Sequence, residues 1–489
     1  MKHFELIVLG SGPAGRRAAV QAAKLQRSVL VVENRPKVGG VSAHTGTLPS
    51  KTLRETVLHL TGWRERKFYG PMHRNKIEIS ATDLRSRLSK TLEHEVAVLE
   101  HQFARNRIPI QIGFAKFVDT NCISVVNQMG GEQKFTADKF IIAVGSRPLR
   151  PSHIPFDDSI IVDSDSIVEH RRIPQSLTVV GAGVIGIEYA TIFAKLDVKV
   201  TIVEPREHYL EFIDQEIVEE FTHCLRDSGI RFILGATVKN VFLADNGCAI
   251  SLLDDGRQIA SEMLLFAGGR HGATDQLNLD KCGLSSDERG RIKVDPQTFQ
   301  TSIPHIYAVG DVIGFPSLAS TSMEQGRLAA CHALQSELAP SSQNLPFGIY
   351  SVPEISSVGA TEQYLKNEKI SYECGIANFR ETSRGHIMGL NSGMLKLIFS
   401  IPDRKLIGVH ILGEGASELI HIGQTVINFG GTVDYFIETT FNYPTLAEAY
   451  KIAALDAHNR TMLPKNLGNN SPEKLQIRGA QLQTKVEHA

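Results

Sequence analysis

The first residues in the chain whose types and spacing could do chemistry are three glycines close to its start. Gly10, Gly12 and Gly15 form the segment GSGPAG, directly after the short apolar run FELIVLG. In this spacing the first glycine permits a tight turn, the second lets the backbone approach a pyrophosphate, and the third allows close helix packing. Glu33 ends a second apolar run, where a carboxylate can accept hydrogen bonds from a ribose. The pattern predicts a strand–helix–strand unit that binds a dinucleotide.

The same order of features occurs a second time in the middle of the chain. Gly181, Gly183 and Gly186 follow the apolar run SLTVV, and the next apolar run, VKVTIVE, ends at Glu204. Two dinucleotide units in one chain suggest that two nucleotides are brought together, most simply FAD and a nicotinamide nucleotide, with hydride passing between them.

The composition is that of an ordinary globular protein and excludes several other classes. A chain of 489 residues has room for three domains, and a net charge of -1 gives no electrostatic basis for binding nucleic acid or an anionic membrane. No apolar run approaches the roughly 18 residues of a membrane helix, and the start of the chain lacks the basic region of a secretory signal. We therefore expect a cytoplasmic protein with small-molecule partners.

The cysteines are scattered, without the paired spacing of a metal site or a disulfide framework. They are Cys122, Cys224, Cys248, Cys282, Cys331 and Cys374. No two of them form a CxxC pair, so we predict ordinary buried thiols and no bound metal.

The segment GGVSAHTGTLPSK, residues 39–51, resembles the redox-active segment of the flavoprotein disulfide reductases. In that family two cysteines stand five positions apart, and Ser42 and Thr47 occupy those positions here. Hydroxyl groups cannot exchange disulfides, so electrons from a reduced flavin would have to leave without a thiol relay. The resemblance implies that Gly40, Ser42 and Thr47 lie at the flavin.

Other segments resemble the same family. GFAKF (residues 113–117), IIAVGSRP (141–148) and TSIPHIYAVGDV (301–312) are similar to segments on the FAD side, and LLFAGGR (264–270) to one that closes the nicotinamide side. The resemblance implies that the first glycine unit holds FAD and the second holds NAD(P). The further cofactor-binding residues it implies are Ala115, Gly145, Gly269 and Asp311, the last bonding the ribityl chain.

The resemblance also places Lys51 beside the flavin N5 atom, paired with Glu188. A buried ammonium there would favour negative charge developing on the reduced ring, and the carboxylate would offset the cost of burying the lysine. In the segment FNYPTLAEAY the family has a histidine that relays protons to the thiols, oriented by the glutamate matching Glu448. Tyr443 replaces that histidine, in agreement with the missing thiols, and we expect a structural role for it.

TGTLPSK, GDVIGFPSLAS and TTFNYPTLAEAY together resemble the transhydrogenase branch of this family, up to about residue 460. This implies ping-pong transfer of hydride between NADP(H) and NAD(H) through FAD at one site. Glu204 suits the free 2'-hydroxyl of NAD, whereas Arg206, which matches an arginine of that branch, could pair with the 2'-phosphate of NADP. Two alternatives stay open: a quinone or dye reductase, and a non-catalytic flavoprotein that senses the NAD(P)H pool.

We therefore expect an α/β fold with two Rossmann-like dinucleotide-binding domains and a C-terminal α+β dimerisation domain that makes a homodimer or higher homo-oligomer. The expected division is residues 1–150 and 276–343 for FAD, 151–275 for NAD(P), 344–463 for dimerisation and 464–489 for a flexible polar tail. The apolar spacing of residues 83–106 predicts a helix, with Ser80 and Asp83 as a capping box at its start.

Overall fold

The computed structural model describes residues 1–70, 72–169, 171–336 and 344–462. The predicted tail, residues 464–489, lies outside the described residues.

The first part of the chain builds a mixed sheet around β1. Its elements are β1 (Lys2–Leu9), α1 (Pro13–Lys24), β2 (Val29–Glu33), α2 (Gly40–His44), α3 (Thr47–Leu60), α4 (Arg66–Tyr69), α5 (Ala81–Arg105), β3 (Ile110–Ile112), β4 (Phe114–Asp119), β5 (Cys122–Val126), β6 (Glu132–Ile142) and β7 (Ser146–Pro148). The strand order is β3-β2-β1-β6-β5-β4. The pairs β3–β2, β2–β1 and β1–β6 are parallel, as a dinucleotide unit requires.

Strand β1 is apolar throughout its second half because it is buried on both faces of the sheet. Leu6 and Val8 pack in one cluster with the alanines of α1, whereas Ile7 and Leu9 pack on the opposite face against Phe117. Successive side chains of a strand point to opposite faces, so a strand covered on both sides reads as a continuous apolar run.

The second part of the chain repeats the architecture on a smaller scale. Its elements are β8 (Ile161–Asp163), β9 (Ser176–Val180), α6 (Val184–Lys195), β10 (Lys199–Glu204), α7 (Gln215–Asp227), β11 (Arg231–Leu234), β12 (Val238–Leu243), β13 (Ala249–Leu253), β14 (Gln258–Ser261), β15 (Met263–Phe266) and β16 (Arg270–Gly272). A parallel sheet has the order β11-β10-β9-β15-β8, and β12-β13-β14 form a separate antiparallel sheet.

The chain then returns to the first sheet. β17 (Ile306–Ala308) pairs in parallel with β6, and α8 (Ala319–Ala333) packs on α1. The two segments that connect the units pair with each other, because β7 in one and β16 in the other form a short antiparallel ribbon.

The C-terminal part is an antiparallel sheet covered by helices. Its elements are β18 (Phe347–Ile349), β19 (Ile355–Gly359), α9 (Glu362–Asn367), β20 (Tyr372–Asn378), α10 (Ser383–Ile387), β21 (Met394–Ser400), β22 (Leu406–Leu412), α11 (Ala416–Asn428), α12 (Asp434–Glu438) and α13 (Glu448–Met462). The strand order is β18-β19-β22-β21-β20, with α11 packed on β22 and α13 on β20. The predicted fold class, two Rossmann-like units and a C-terminal α+β domain, is confirmed.

A buried charge cluster joins the second unit to the C-terminal sheet. The ammonium of Lys396, on β21, is fully buried and lies 2.8 Å from carboxylate oxygens of both Asp214 and Glu216, at the start of α7. It also contacts Glu362 of α9, which accepts a hydrogen bond from Tyr372. Lys396 therefore neutralises carboxylates from two parts of the chain.

Helix α5 confirms the helix predicted between the glycine units, beginning two residues earlier and ending one residue earlier than expected. The capping box is also confirmed: the Asp83 N–H donates to Ser80 Oγ at 3.3 Å, and the Ser80 N–H donates to Asp83 Oδ2 at 2.9 Å. None of the helices in the described ranges has both the length and the apolarity that crossing a membrane requires.

Candidate active site

A cavity of about 380 Å³ opens where the parallel strands of the first sheet end. Residues that follow β1, β2, β6 and β17 line it, because the carboxyl ends of parallel strands meet at one edge of a sheet. The residues of the lining that the sequence predicted are Gly10, Gly12, Glu33, Gly40, Ser42, Thr47, Ala115, Gly145 and Asp311. The structure thus brings together residues that lie up to 300 positions apart in the chain.

The three glycines of the first motif differ in what an added side chain would meet. Gly10 has φ +104°, and a Cβ there would lie 2.3 Å from the carbonyl oxygen of Ala143. A Cβ on Gly15 would lie 2.0 Å from the carbonyl oxygen of Gly10, so helix α1 could not pack as it does. A Cβ on Gly12 would instead meet only the Cα of Gly40, at an unstrained 3.9 Å. The N-terminus of α1 is therefore accessible to a pyrophosphate.

Glu33 is held at the edge of the cavity by hydrogen bonds that the sequence did not predict. Its carboxylate accepts the N–H of Ser11 and the N–H of Arg35, each at 2.9 Å, and also the Ser11 hydroxyl. The Ser11 oxygen accepts in turn the N–H of Gly39 at 2.9 Å. One Glu33 oxygen keeps a free lone pair for a ribose hydroxyl. Ser11 lies inside the glycine motif, but at a position where the motif accepts any residue, so the sequence did not identify it.

Lys51 and Glu188 form the ion pair that the sequence predicted. The ammonium lies 2.7 and 2.8 Å from the two carboxylate oxygens of Glu188, whose side chain is only 5% exposed. Two groups not predicted complete the arrangement: the Tyr350 N–H donates to Glu188 at 3.0 Å, and the Ser50 hydroxyl at 3.2 Å. The Lys51 ammonium also lies 4.9 Å from the centre of the Tyr350 ring. This carboxylate is thus fully paired.

Tyr350 contributes to the pair by its backbone and its ring rather than by proton transfer. Burial raises the pKa of its phenol, and the neighbouring carboxylate of Glu354 raises it further. The phenol therefore stays protonated at neutral pH.

Ser42 and Thr47, which replace the family's two cysteines, face the cavity. Ser42 lies on α2 and Thr47 is the first residue of α3. No cysteine lines the cavity, and the cysteines, all in the described part of the chain, are free thiols. Thiol exchange at this site has no sulfur atom to use.

The second glycine motif repeats the geometry of the first. Gly181 has φ +105°, and a Cβ on it would lie 2.6 Å from the carbonyl oxygen of Ala267. A Cβ on Gly186 would lie 2.1 Å from the carbonyl oxygen of Gly181, whereas one on Gly183 would meet open space. Gly269, with φ +136°, is likewise open on its Cβ side. The N-terminus of α6 is thus shaped like that of α1.

Glu204, at the end of β10, is engaged by Arg206 in this structure. Its buried carboxylate accepts the Ala182 N–H at 2.7 Å and the Arg206 Nε–H at 2.7 Å. Burial opposes its ionisation, but these hydrogen bonds outweigh burial and hold the pKa of Glu204 below its usual value of 4.5. The Arg206 side chain is 51% exposed, so it can exchange this partner for another anion.

Tyr443 does not line the cavity of the first unit. Its side chain is 71% exposed and its hydroxyl lies 2.5 Å from the Ser383 oxygen. One buried oxygen of Glu448 has no hydrogen-bond partner within the described residues. Within the described residues, neither group forms a hydrogen bond to Lys51 or Glu188.

Comparison with known proteins agrees with this geometry. Residues 4–326 match the family model for pyridine nucleotide-disulphide oxidoreductases, and residues 345–454 match the dimerisation domain of the same family. The chain belongs to this family. The resemblance drawn from the sequence motifs is therefore confirmed, and the second match supports assembly into a homo-oligomer.

Similar members of the family extend over nearly the whole chain. The soluble pyridine nucleotide transhydrogenase of Mycobacterium tuberculosis is 49% identical over 461 residues, which cover 94% of this chain and 98% of that protein. The protein of that name from Aliivibrio fischeri is 42% identical over 469 residues, with the same coverage.

Two solved structures share the fold. The Cu(II) complex of the flavoprotein disulfide reductase RclA from Escherichia coli has a TM-score of 0.83 and 25% identity, over 93% of this chain and 99% of that one. LpdA from Mycobacterium tuberculosis has a TM-score of 0.85 at 24% identity, over 95% of this chain and 100% of that one.

Proposed function

We propose that this oxidoreductase moves hydride between NADP(H) and NAD(H) through FAD, without a redox disulfide. The observation that carries the proposal is the combination of an intact Lys51–Glu188 pair with hydroxyl residues, Ser42 and Thr47, on the cavity wall. The groups for exchange between nicotinamide and flavin are present, whereas the thiol relay of the family is absent. The high identity to soluble pyridine nucleotide transhydrogenases supports the same reaction.

The residues of the first cavity fit FAD. The open N-terminus of α1 at Gly12 would bind the pyrophosphate, Glu33 a ribose, and Asp311 the ribityl chain. When bound, FAD supplies the ring that accepts hydride from one nucleotide and returns it to another.

In this proposal Lys51 provides positive charge next to the reacting ring, and Glu188 fixes its position. Two hydrogen bonds to the Glu188 carboxylate leave the Lys51 ammonium little freedom. The Tyr350 N–H and the Ser50 hydroxyl hold that carboxylate in turn. A preorganised charge of this kind stabilises charge that develops in the transition state. Hydride exchange needs no acid or base, in agreement with the protonated Tyr350 phenol.

The second unit would bind either nicotinamide nucleotide, by a change of partner at Arg206. With NAD, Glu204 accepts hydrogen bonds from the ribose hydroxyls while Arg206 stays paired with it. With NADP, the exposed Arg206 guanidinium turns to the 2'-phosphate, for which its planar fork is suited.

The domain roles, assembly and location are part of the same proposal. Residues 1–150 and 276–343 would bind FAD, residues 151–275 NAD(P), and residues 344–463 would make a homodimer or higher homo-oligomer. The protein would act in the cytoplasm. The match of residues 345–454 to a dimerisation domain supports the assignment of residues 344–463 to assembly.

Steady-state kinetics test the reaction. With NADPH as donor and NAD as acceptor, we expect NADH to form and double-reciprocal plots at several NAD concentrations to be parallel, as a ping-pong cycle at one site requires. Iodoacetamide should leave the rate unchanged, because no cysteine lines the cavity. Failure to form NADH would refute the transhydrogenase assignment, and intersecting lines would refute the single site.

A further inference from the structure

A chain of hydrogen bonds runs from the first cavity to the second unit. The Ser146 hydroxyl, on β7, donates to Asp311 Oδ2 at 2.7 Å. The same Ser146 oxygen accepts the Nε–H of Arg270, on β16, at 2.8 Å. A second guanidinium nitrogen of Arg270 donates to the Ser146 carbonyl oxygen, also at 2.8 Å.

The number of protons on each group decides which atom donates in each of these hydrogen bonds. A serine hydroxyl has one proton, and an arginine guanidinium can only donate. Because Arg270 occupies the Ser146 oxygen as a donor, the single Ser146 proton goes to Asp311. Oδ2 of Asp311 is thus held by a hydroxyl whose orientation depends on a residue of the other unit.

Arg270 is itself fixed on its far side. Its third nitrogen lies 3.2 Å from both Ser164 Oγ and Asp165 Oδ1, and the Arg270 side chain is only 18% exposed. Asp311, Ser146 and Asp165 line the cavity, whereas Arg270 does not. Arg270 therefore stands behind the cavity wall and can act on a ligand only through the residues it holds.

We propose that Arg270 is a positioning residue for FAD, which acts through Ser146 to keep the Asp311 carboxylate turned toward the ribityl chain. This inference rests on the proposed FAD site and deepens it by coupling that site to the strand β16 that closes the nucleotide unit. In the β7–β16 ribbon Ser146 pairs with Gly272 and Pro148 pairs with Arg270, so Ser146 and Arg270 lie on adjacent strands at the crossing between the units.

The test is the rate at which the intact holoenzyme loses FAD on dilution, followed by the rise in flavin fluorescence. A hydrogen bond to a charged group shifts an equilibrium by about tenfold or more. We expect Arg270→Met and Ser146→Ala each to speed FAD loss by about tenfold, and the double variant to be no faster than either single variant, because both break one chain. Arg270→Lys, which keeps a charged donor, should restore part of the retention.

Arg150→Met is the matched control. Arg150 also bonds to the second unit, through Asp163 at 2.6 Å, but it has no hydrogen bond to Ser146. It should leave the rate of FAD loss unchanged. If Arg270→Met fails to fold, Arg270→Gln, which also removes the charge, takes its place in the comparison with Ser146→Ala.

Three results would overturn the inference: unchanged FAD loss in Arg270→Met, single effects that multiply in the double variant, or an equal loss in Arg150→Met. The measurement needs no turnover. A protein that shows the expected coupling but forms no NADH would therefore refute the proposed reaction and leave this inference standing.

Discussion

Replacing Lys51 with methionine tests the role of the Lys51–Glu188 ion pair in the proposed hydride transfer. Methionine keeps much of the side-chain volume but removes the two shortest hydrogen bonds to Glu188, at 2.7 and 2.8 Å. The carboxylate would keep only the Ser50 hydroxyl at 3.2 Å and the Tyr350 N–H at 3.0 Å. The change should therefore lower both the stability of the fold and the rate of flavin reduction.

The loss of stability follows from burial. Removing one partner of a fully buried pair costs about 3–5 kcal/mol, but Lys51 is 24% exposed and water can approach Glu188 in its place, so we expect about 1–3 kcal/mol. The loss of rate follows from charge. Removing one preorganised group from a site of developing charge costs about 10²–10³ in rate, and the partial exposure of Lys51 favours the lower figure.

The assay is anaerobic stopped-flow reduction of the flavin by NADPH, with thermal unfolding of the same samples. In a Lys51→Met, Glu188→Gln double variant, no buried charge is left unpaired, so stability should return while the rate of reduction stays about 100-fold low. Lys90→Met, on the exposed face of α5, is the control and should change neither quantity. An unchanged rate in Lys51→Met, or a rate restored by the double variant, would refute the reasoning.

Other predictions concern the glycines, the nucleotide and the buried charge cluster. Gly12→Ala should lose FAD without loss of fold stability, because the nearest atom to its Cβ would lie 3.9 Å away, whereas Gly15→Ala should unfold more readily; equal melting temperatures would contradict this. Arg206→Ala should raise the KM for NADPH by about tenfold and leave that for NADH unchanged; equal effects would reject Arg206 as the phosphate ligand. Burial opposes ionisation of Glu362, but hydrogen bonds from Lys396 and Tyr372 lower its pKa from 4.5 to about 2, so its stabilising effect is present above pH 4.5 and is lost as the pH falls toward 2. The stability difference between wild type and Glu362→Gln should therefore shrink over that range in pH-dependent denaturation, and a constant difference would exclude this contribution.

The sequence predicts what is encoded locally. The glycine spacings, the apolar strands before them and the acids after them identify both nucleotide units, because the whole strand–helix–strand pattern lies within about 30 residues of the chain. The capping box of α5 is local in the same sense. The bounds of helix α5 differ from the predicted ones by no more than two residues. Family resemblance adds the pairing of Lys51 with Glu188, 137 positions away.

What the sequence does not predict are contacts set by the packing of separate units. Tyr350 reaches Glu188 from 162 positions away through a backbone N–H, which has no residue-type signal. Arg270 reaches Ser146 because two crossing segments pair as a ribbon, and no spacing along the chain encodes that pairing. For Glu204 and Arg206, two positions apart, sequence reasoning supplies both candidate partners, whereas the structure reveals that they bind each other.

We propose that hydride passes directly between the flavin and two different nucleotides, because no thiol lines the cavity to accept electrons. Anaerobic mixing of the purified holoenzyme with one equivalent of NADPH, followed by NAD, tests it most directly. We expect NADPH to bleach the flavin absorbance and NAD to restore it, with one NADH formed for each flavin reoxidised. A flavin that stays bleached in the presence of NAD, and recovers only when a quinone or oxygen is added, would contradict it.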